Sequence, residues 1–277
     1  MDGRETIYYP QDEMNQMLIP VTSGCPYNRC AFCSMYKGVP YRQIPLSEVE
    51  KQIIYGDLYT ERIFLTGADP VAIGFDAMQH VLALVRKHLP YCACVASYAS
   101  VRSLAAYSTE ELSALHDAGL RLLYIGFESG LDRVLESVDK GHRVETAIEQ
   151  AKKLNQARLQ FNTILIYGIA GLGSGIENAL ASAAMVNQFE TRKVITMNLK
   201  VFNGTILEQR VHRGEFFPAD GAERLAEIRT LLEYLDPARP LEFDTTHPTN
   251  MIKIRGTLPQ DKDRLIREVQ QHAQQMS

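Results

Sequence analysis

Six apolar runs with strand character recur along this chain, and segments with helical periodicity separate them. The runs are residues 17–23, 62–66, 92–98, 121–126, 161–167 and 194–201. Helical spacing covers 46–55, 75–88, 109–118, 144–157 and 176–189, with Met78, Val81, Leu82 and Val85 on one face of the second. Strand then helix, repeated, implies parallel strands joined by right-handed crossovers. The runs are mostly continuous rather than alternating, as expected of strands covered on both faces. Six units are too few for a closed eight-unit barrel. The pattern predicts an α/β fold, a partial (β/α)6 TIM-like barrel of parallel strands over about residues 17–205. Two further helices, 222–235 and 261–273, flank an irregular polar stretch at 247–259 and make 206–277 a short C-terminal helical extension. No Pro/Gly-rich linker interrupts the chain, so residues 1–277 read as a single domain.

Local signals agree with this frame. Ser47 with Glu50 three residues on reads as a capping box for the first helix. Gly119 suits the residue after the end of the third. In α/β barrels the active site lies at the C-terminal ends of the strands. Here those ends carry the unusual residues: a cysteine cluster after the first run, Thr66-Gly67-Ala68-Asp69 after the second, and Ser97-Tyr98 at the third. Glu128-Ser129-Gly130 follows the fourth and a glycine-rich loop from Gly168 to Gly175 follows the fifth.

The cluster is Cys25-x4-Cys30-x2-Cys33 in GCPYNRCAFCSMYKG. Three thiols so close cannot all pair as disulfides, but they can hold three corners of a metal centre. One reading is a structural zinc site completed by Cys92, Cys94 or a histidine, although no second Cys-x2-Cys or His-x3-His half is present. The other is an iron–sulfur cluster with one iron open to an external ligand. Cys92 and Cys94 alternate within a strand, which fits small buried hydrophobes better than ligands.

Composition narrows the remaining classes. The 277 residues include 45% hydrophobic ones, enough for a sizeable core. The net charge of −4 comes with no Lys/Arg stripe, so strong nucleic-acid binding is not expected. No stretch reaches the length of a membrane span, and the charged N-terminus MDGRETIYYPQDEMNQM is not a secretory signal. Five cysteines, three of them clustered, suit a reducing cytoplasm better than a disulfide framework.

The cysteine loop, with Phe32 just before its last cysteine, resembles that of the radical S-adenosylmethionine (SAM) enzymes. The wider segment is similar to stand-alone members distantly related to oxygen-independent coproporphyrinogen III oxidases. The commonest spacing there is C-x3-C-x2-C, so this chain carries one extra residue between Cys25 and Cys30. The resemblance implies that Cys25, Cys30 and Cys33 bind a [4Fe–4S] cluster, that SAM chelates the fourth iron, and that Phe32 lies near the adenine. It implies a contact to the SAM amino group from Gly67, Ala68 and Asp69, where the family has a Gly-Gly-Glu-like element. Glu128 and Ser129 fall where the family contacts the ribose or the methionine portion. Tyr167-Gly168-Ile169-Ala170-Gly171 matches the adenine-binding element, with Gly168 and Gly171 offering backbone contacts and Ala170 in the place of a proline.

The function so implied is an oxidoreductase or transferase. It reductively cleaves SAM to a 5′-deoxyadenosyl radical that abstracts hydrogen from a substrate, with electrons from a donor such as flavodoxin or ferredoxin. A cluster- or haem-handling protein on the same fold and a zinc-stabilised interaction domain are the alternatives. The absence of cysteine after Cys94 argues against auxiliary clusters and methylthiolation, and no fused cobalamin-binding segment is visible. His247, Asn250, Lys253 and Arg255 lie in the polar stretch, which reads as a solvated loop.

Overall fold

A computed structural model of the chain describes residues 7–276. In chain order the elements are β1 (Met17–Pro20), β2 (Thr22–Ser23), β3 (Arg42–Gln43), α1 (Leu46–Ile54), β4 (Arg62–Thr66), α2 (Phe75–His88), β5 (Cys94–Ala99), α3 (Val101–Leu104), α4 (Thr109–Asp117) and β6 (Leu120–Glu128). They continue with α5 (Asp132–Ser137), α6 (Val144–Gln156), β7 (Gln160–Tyr167), α7 (Gly175–Val186), β8 (Lys193–Asn198), α8 (Ile206–His212), α9 (Gly221–Tyr234), β9 (Leu241–Asp244), β10 (Arg255–Leu258) and α10 (Lys262–Met276). Strand order in the main sheet is β1-β4-β5-β6-β7-β8-β9-β10. The β1–β4, β4–β5, β5–β6, β7–β8 and β8–β9 pairs are parallel, and β9–β10 is antiparallel. The fold is the expected α/β arrangement with the helices as crossovers.

The chain forms two compact units. The first comprises Met1–Asn28, Met35–Ile125 and Lys153–Phe161; the second comprises Arg29–Ser34, Gly126–Lys152 and Asn162–Ser277. In the first, the run expected as one strand over 17–23 divides at Val21. Its first part pairs with β4, and Thr22–Ser23 turns to pair with β3. Phe64, Tyr98 and Tyr124 meet edge to face, with ring centroids 5.2, 5.9 and 6.2 Å apart. The Tyr124 hydroxyl donates to the fully buried Glu13 (2.7 Å), which also takes the Arg62 guanidinium. A buried carboxylate is tolerated here because a cation and a hydroxyl satisfy it.

Helix starts differ in detail from the sequence reading. Pro45 precedes α1 and makes no side-chain cap, so the Ser47–Glu50 box is not formed. Proline already holds the φ of a helix start, and the helix begins two residues earlier than a Ser47 cap requires. Glu50 instead binds Lys87 (2.9 Å) and His88 (2.7 Å) at the end of α2. True capping boxes occur at Ser100/Ser103 and Ser108/Glu111.

In the second unit the stretch expected as irregular and solvated, 247–259, carries the strand β10 and a buried clamp, and the short strand β9 precedes it. Lys193, 1% exposed, binds Glu242 (2.8 Å) and Asp244 (3.5 Å), which lets the charged β9 sit inside the sheet. Asn250 is buried. Its amide donates to Thr196 O and Thr245 O, both at 2.7 Å, and its carbonyl accepts from Asn198 N–H (2.7 Å) and the Tyr167 hydroxyl (3.2 Å). One side chain thus ties the C-terminal ends of β7, β8 and β9. Asn250→Ala leaves these groups unpaired. It is expected to lower stability by about 3 kcal/mol, read as a fall in urea midpoint at constant m-value.

Candidate functional site

The cysteine loop follows β2, and none of the five cysteines is disulfide-bonded. In the first unit Gly24 lies tight against Pro40 and Tyr41, and the half-buried Cys25 accepts a hydrogen bond from Asn28 N–H (3.3 Å). Gly67, at φ +133°, lies against Thr22, where a Cβ would fall 2.0 Å from the hydroxyl. Only glycine fits that conformation and that gap. The neighbouring Ala68 is half-buried. The Asp69 carboxylate takes hydroxyls from Ser100 (2.5 Å) and Ser103 (3.0 Å), so its side chain fastens the start of α3 to the end of β4.

In the second unit the Cys30–Cys33 turn is closed by Cys33 N–H to Cys30 O (3.2 Å) and pinned from two sides. Ala31 N–H donates to Val138 O (2.8 Å), and Ala31 O accepts from Leu207 N–H (2.9 Å). Ala31 joins a core of Val134, Val138, Ile166, Ile169, Leu199 and Leu207, against which Phe32 packs. Arg29 adds an exposed ion pair to Asp139 (3.0 Å). The two cysteines of this turn are therefore presented by a fixed backbone.

Glu128 ends β6 in the left-handed region, φ +66°, which a side chain adopts at a cost and which marks functional sites. It is 6% exposed. One oxygen accepts from Lys140 Nζ at 2.7 Å; the other, also buried, has no hydrogen-bond partner. Burial pulls the Lys140 ammonium down in pKa. Glu128 and the neighbouring Cys30 and Cys33 thiols outweigh it, and the net shift is upward. Lys140 thus stays charged beside the cysteine turn. Gly126 makes room for the pair, since a Cβ there would lie 2.2 Å from the carboxylate. Lys140 was missed in the sequence reading. Its signal was the need of a carboxylate at an apolar strand end for a cation.

Ser129 is fully buried, but its hydroxyl donates to Asn178 Oδ1 (2.5 Å) and accepts from Leu131 N–H (3.0 Å). Asn178 in turn donates to Glu227 (2.7 Å), whose other oxygen accepts Gly168 N–H (2.7 Å). Glu223 takes the N–H groups of Gly173 and Gly175, both at 2.9 Å. The glycine loop after β7 therefore has three of its N–H donors committed to acids of α9, which leaves less of it for an anion than the sequence implied. Gly168 and Gly171 both have φ +80° and bend the chain sharply after β7.

Among the described residues no three His, Cys, Asp or Glu side chains gather closely enough to hold one metal ion. A zinc ion needs its thiolates around a single point. A cubane takes each thiolate on a different iron, so cysteine ligands for it need not converge on one point, and the chemistry of three thiols suits it. Cys94 opens β5 in register with Arg62, at the strand starts, and Cys92 bonds to its carbonyl (3.6 Å). Both lie at the opposite ends of the strands from the cysteine loop. They are half-buried rather than core residues.

Two outcomes follow. Lys140→Met strands a buried carboxylate and is expected to cost about 3–5 kcal/mol, most of it recovered when Glu128→Leu is added, as read by urea denaturation. Burial, against the opposing bonds from Asn178 and Gly168, pushes Glu227 up to about 7 from its ordinary 4.5. The folded form keeps this proton to higher pH than the unfolded form, so stability falls as pH rises from about 4.5 to about 7 and levels off above. Glu227→Gln flattens that slope in denaturation midpoints measured across the window.

Solved structures share this fold. Methylornithine synthase matches at TM-score 0.59 and 16% identity, over 82% of this chain and 63% of that one. Coproporphyrinogen III oxidase from Escherichia coli matches at 0.59 and 14%, over 79% and 52%. A radical SAM methyltransferase from Kitasatospora setae, solved with cobalamin and a [4Fe–4S] cluster bound, matches at 0.57 and 17%, over 72% and 37%. The chain thus spans less than two thirds of each of these structures. No curated protein sequence matches it. The Radical SAM superfamily model matches residues 19–178, from the strand before the cysteine loop into α7 and more than half of the chain. The protein therefore belongs to the radical SAM superfamily, whose cofactors are a [4Fe–4S] cluster and S-adenosylmethionine.

Proposed function

We propose that this chain is an oxidoreductase or transferase that holds a [4Fe–4S] cluster on Cys25, Cys30 and Cys33 and uses SAM at the remaining iron. The observation that carries the reading is a cysteine turn pinned by backbone bonds, with the Glu128–Lys140 pair buried next to it. When bound, the cofactor pair supplies one-electron reductive cleavage of SAM to a 5′-deoxyadenosyl radical that takes hydrogen from a substrate carbon.

The protein's part is to hold and orient. The Lys140 ammonium offsets negative charge at Cys30 and Cys33 and holds Glu128 in place. The second Glu128 oxygen, buried and unbonded, is an acceptor for a hydroxyl or ammonium of SAM. Phe32 offers an apolar face to the adenine. Gly67, Ala68 and the Asp69 backbone face the SAM amino group, since the Asp69 carboxylate is bound to Ser100 and Ser103. Gly168 and Gly171 approach the adenine through backbone groups. Ser129 belongs to this set as a support, because its hydroxyl is already bonded on both sides.

A flavodoxin or ferredoxin supplies the electron, and a reducing cytoplasm suits the three thiols. No helix among the described residues is long and apolar enough to cross a membrane. The test is anaerobic reconstitution with iron and sulfide, reduction by dithionite and addition of SAM. Wild type is expected to form 5′-deoxyadenosine and Cys30→Ala to form none. Equal product from both proteins overturns the reading, and no product from wild type with an intact cluster points to a binding or transfer role instead.

A further inference from the structure

The four residues between Cys25 and Cys30 form a fastened turn rather than a slack bridge. Asn28 stands at its crest in the left-handed region, φ +49°. That conformation costs most residues about 1–2 kcal/mol, and asparagine is among the few that adopt it readily because its short amide bonds locally. Three of the four polar groups of Asn28 are used. Its N–H donates to Cys25 Sγ at 3.3 Å, its Nδ2 donates to Tyr36 O at 2.9 Å, and its carbonyl accepts from Lys37 Nζ at 3.0 Å. Tyr36 is buried, so the anchor is a fixed part of the core. The preceding residue, Tyr27, lies under the Arg102 guanidinium at 4.4 Å from the ring centroid.

We infer that Asn28 is a positioning residue for Cys25, setting the direction of its thiolate and the electron density on its sulfur. The inference rests on the proposed reading of the cysteine loop as a cluster site. The left-handed turn aims a backbone N–H at the sulfur, while the side chain and Lys37 lock the two peptide groups beside it. A donor on a ligating thiolate draws charge from it, which favours the reduced and more negative form of a cluster. Partners that orient a metal ligand are worth roughly ten- to a hundredfold in metal retention. Local bonds of this i to i+3 kind also occur in purely structural turns, whose loss would leave the cluster potential unchanged.

The test uses the reconstituted full chain with two readouts that need no substrate. These are the rate of iron loss to a chelator and the midpoint potential of the cluster, titrated by electron paramagnetic resonance. Asn28→Ala removes the amide anchor and disfavours the turn. It is expected to lose iron roughly tenfold faster than wild type and to titrate at a more negative potential. Asn28→Gly keeps the left-handed turn without the anchor and falls between the two. Lys37→Met, at an exposed position, shifts both readouts in the same direction by less and covers the case in which Asn28→Ala folds poorly. Wild-type iron loss and wild-type potential in Asn28→Ala and Lys37→Met overturn the role of Asn28 alone. A wild-type protein that takes up no more iron and sulfide than Cys30→Ala overturns the cluster reading and this role with it.

Discussion

The buried pair of Glu128 and Lys140 is the constraint on which the cysteine turn of the second unit depends. Two charges are taken out of water where β6 ends, and they are tolerated because each is the other's counter-ion at 2.7 Å. Accommodating them explains several otherwise separate features. Gly126 must lack a side chain, Glu128 must turn into the left-handed region, and Asp139 at φ +48° helps return the chain so that Lys140 reaches back. The same turn supplies Val138 O to Ala31, so the element that brings the ammonium also pins the cysteine turn. Replacing the pair by apolar groups would serve stability as well. The retained charge and the unbonded oxygen are what the proposed contact to SAM makes use of.

A second network governs the loop after β7. Acids of α9 bind the N–H groups of Gly168, Gly173 and Gly175, and Asn178 passes the connection on to Ser129. The loop is thus shaped by the protein's own carboxylates, in the positions a phosphate occupies in nucleotide-binding loops. This makes the glycines a means of close packing rather than an anion cradle. It also turns Glu227 into a group whose protonation is linked to folding near neutral pH.

Much of the fold was legible in the residues themselves. The run 62–66 and the helix 75–88 appear with the expected limits because each is bounded by polar or glycine residues and carries unbroken periodicity. β9 and β10 were not legible. Each has four residues, and their charges conceal any apolar pattern until Lys193 is seen beneath them. Asn250 was hidden for the same kind of reason. A polar residue in a polar stretch looks solvated unless its four partners, from residues up to 83 positions away, are known. The Ser47 cap misled because a local pattern was satisfied on paper while Pro45 had already started the helix.

In the site, the spacing of Cys25, Cys30 and Cys33 pointed to a metal centre but left zinc and an iron–sulfur cluster both open, and the wider resemblance chose between them. Three soft ligands within nine residues have few other uses, and local order suffices to keep them together. The sequence also determined that the chain alternates strand and helix, because burial on both faces writes itself into continuous apolar runs. Only the tertiary structure decided which polar residues are spent and which are available. Asp69 and Ser129 are bonded within the protein, one oxygen of Glu128 is not, and Lys140 and Asn28 address the cysteines. The physical reason is that whether a polar group is satisfied depends on what is folded against it, and composition and spacing carry no record of those neighbours.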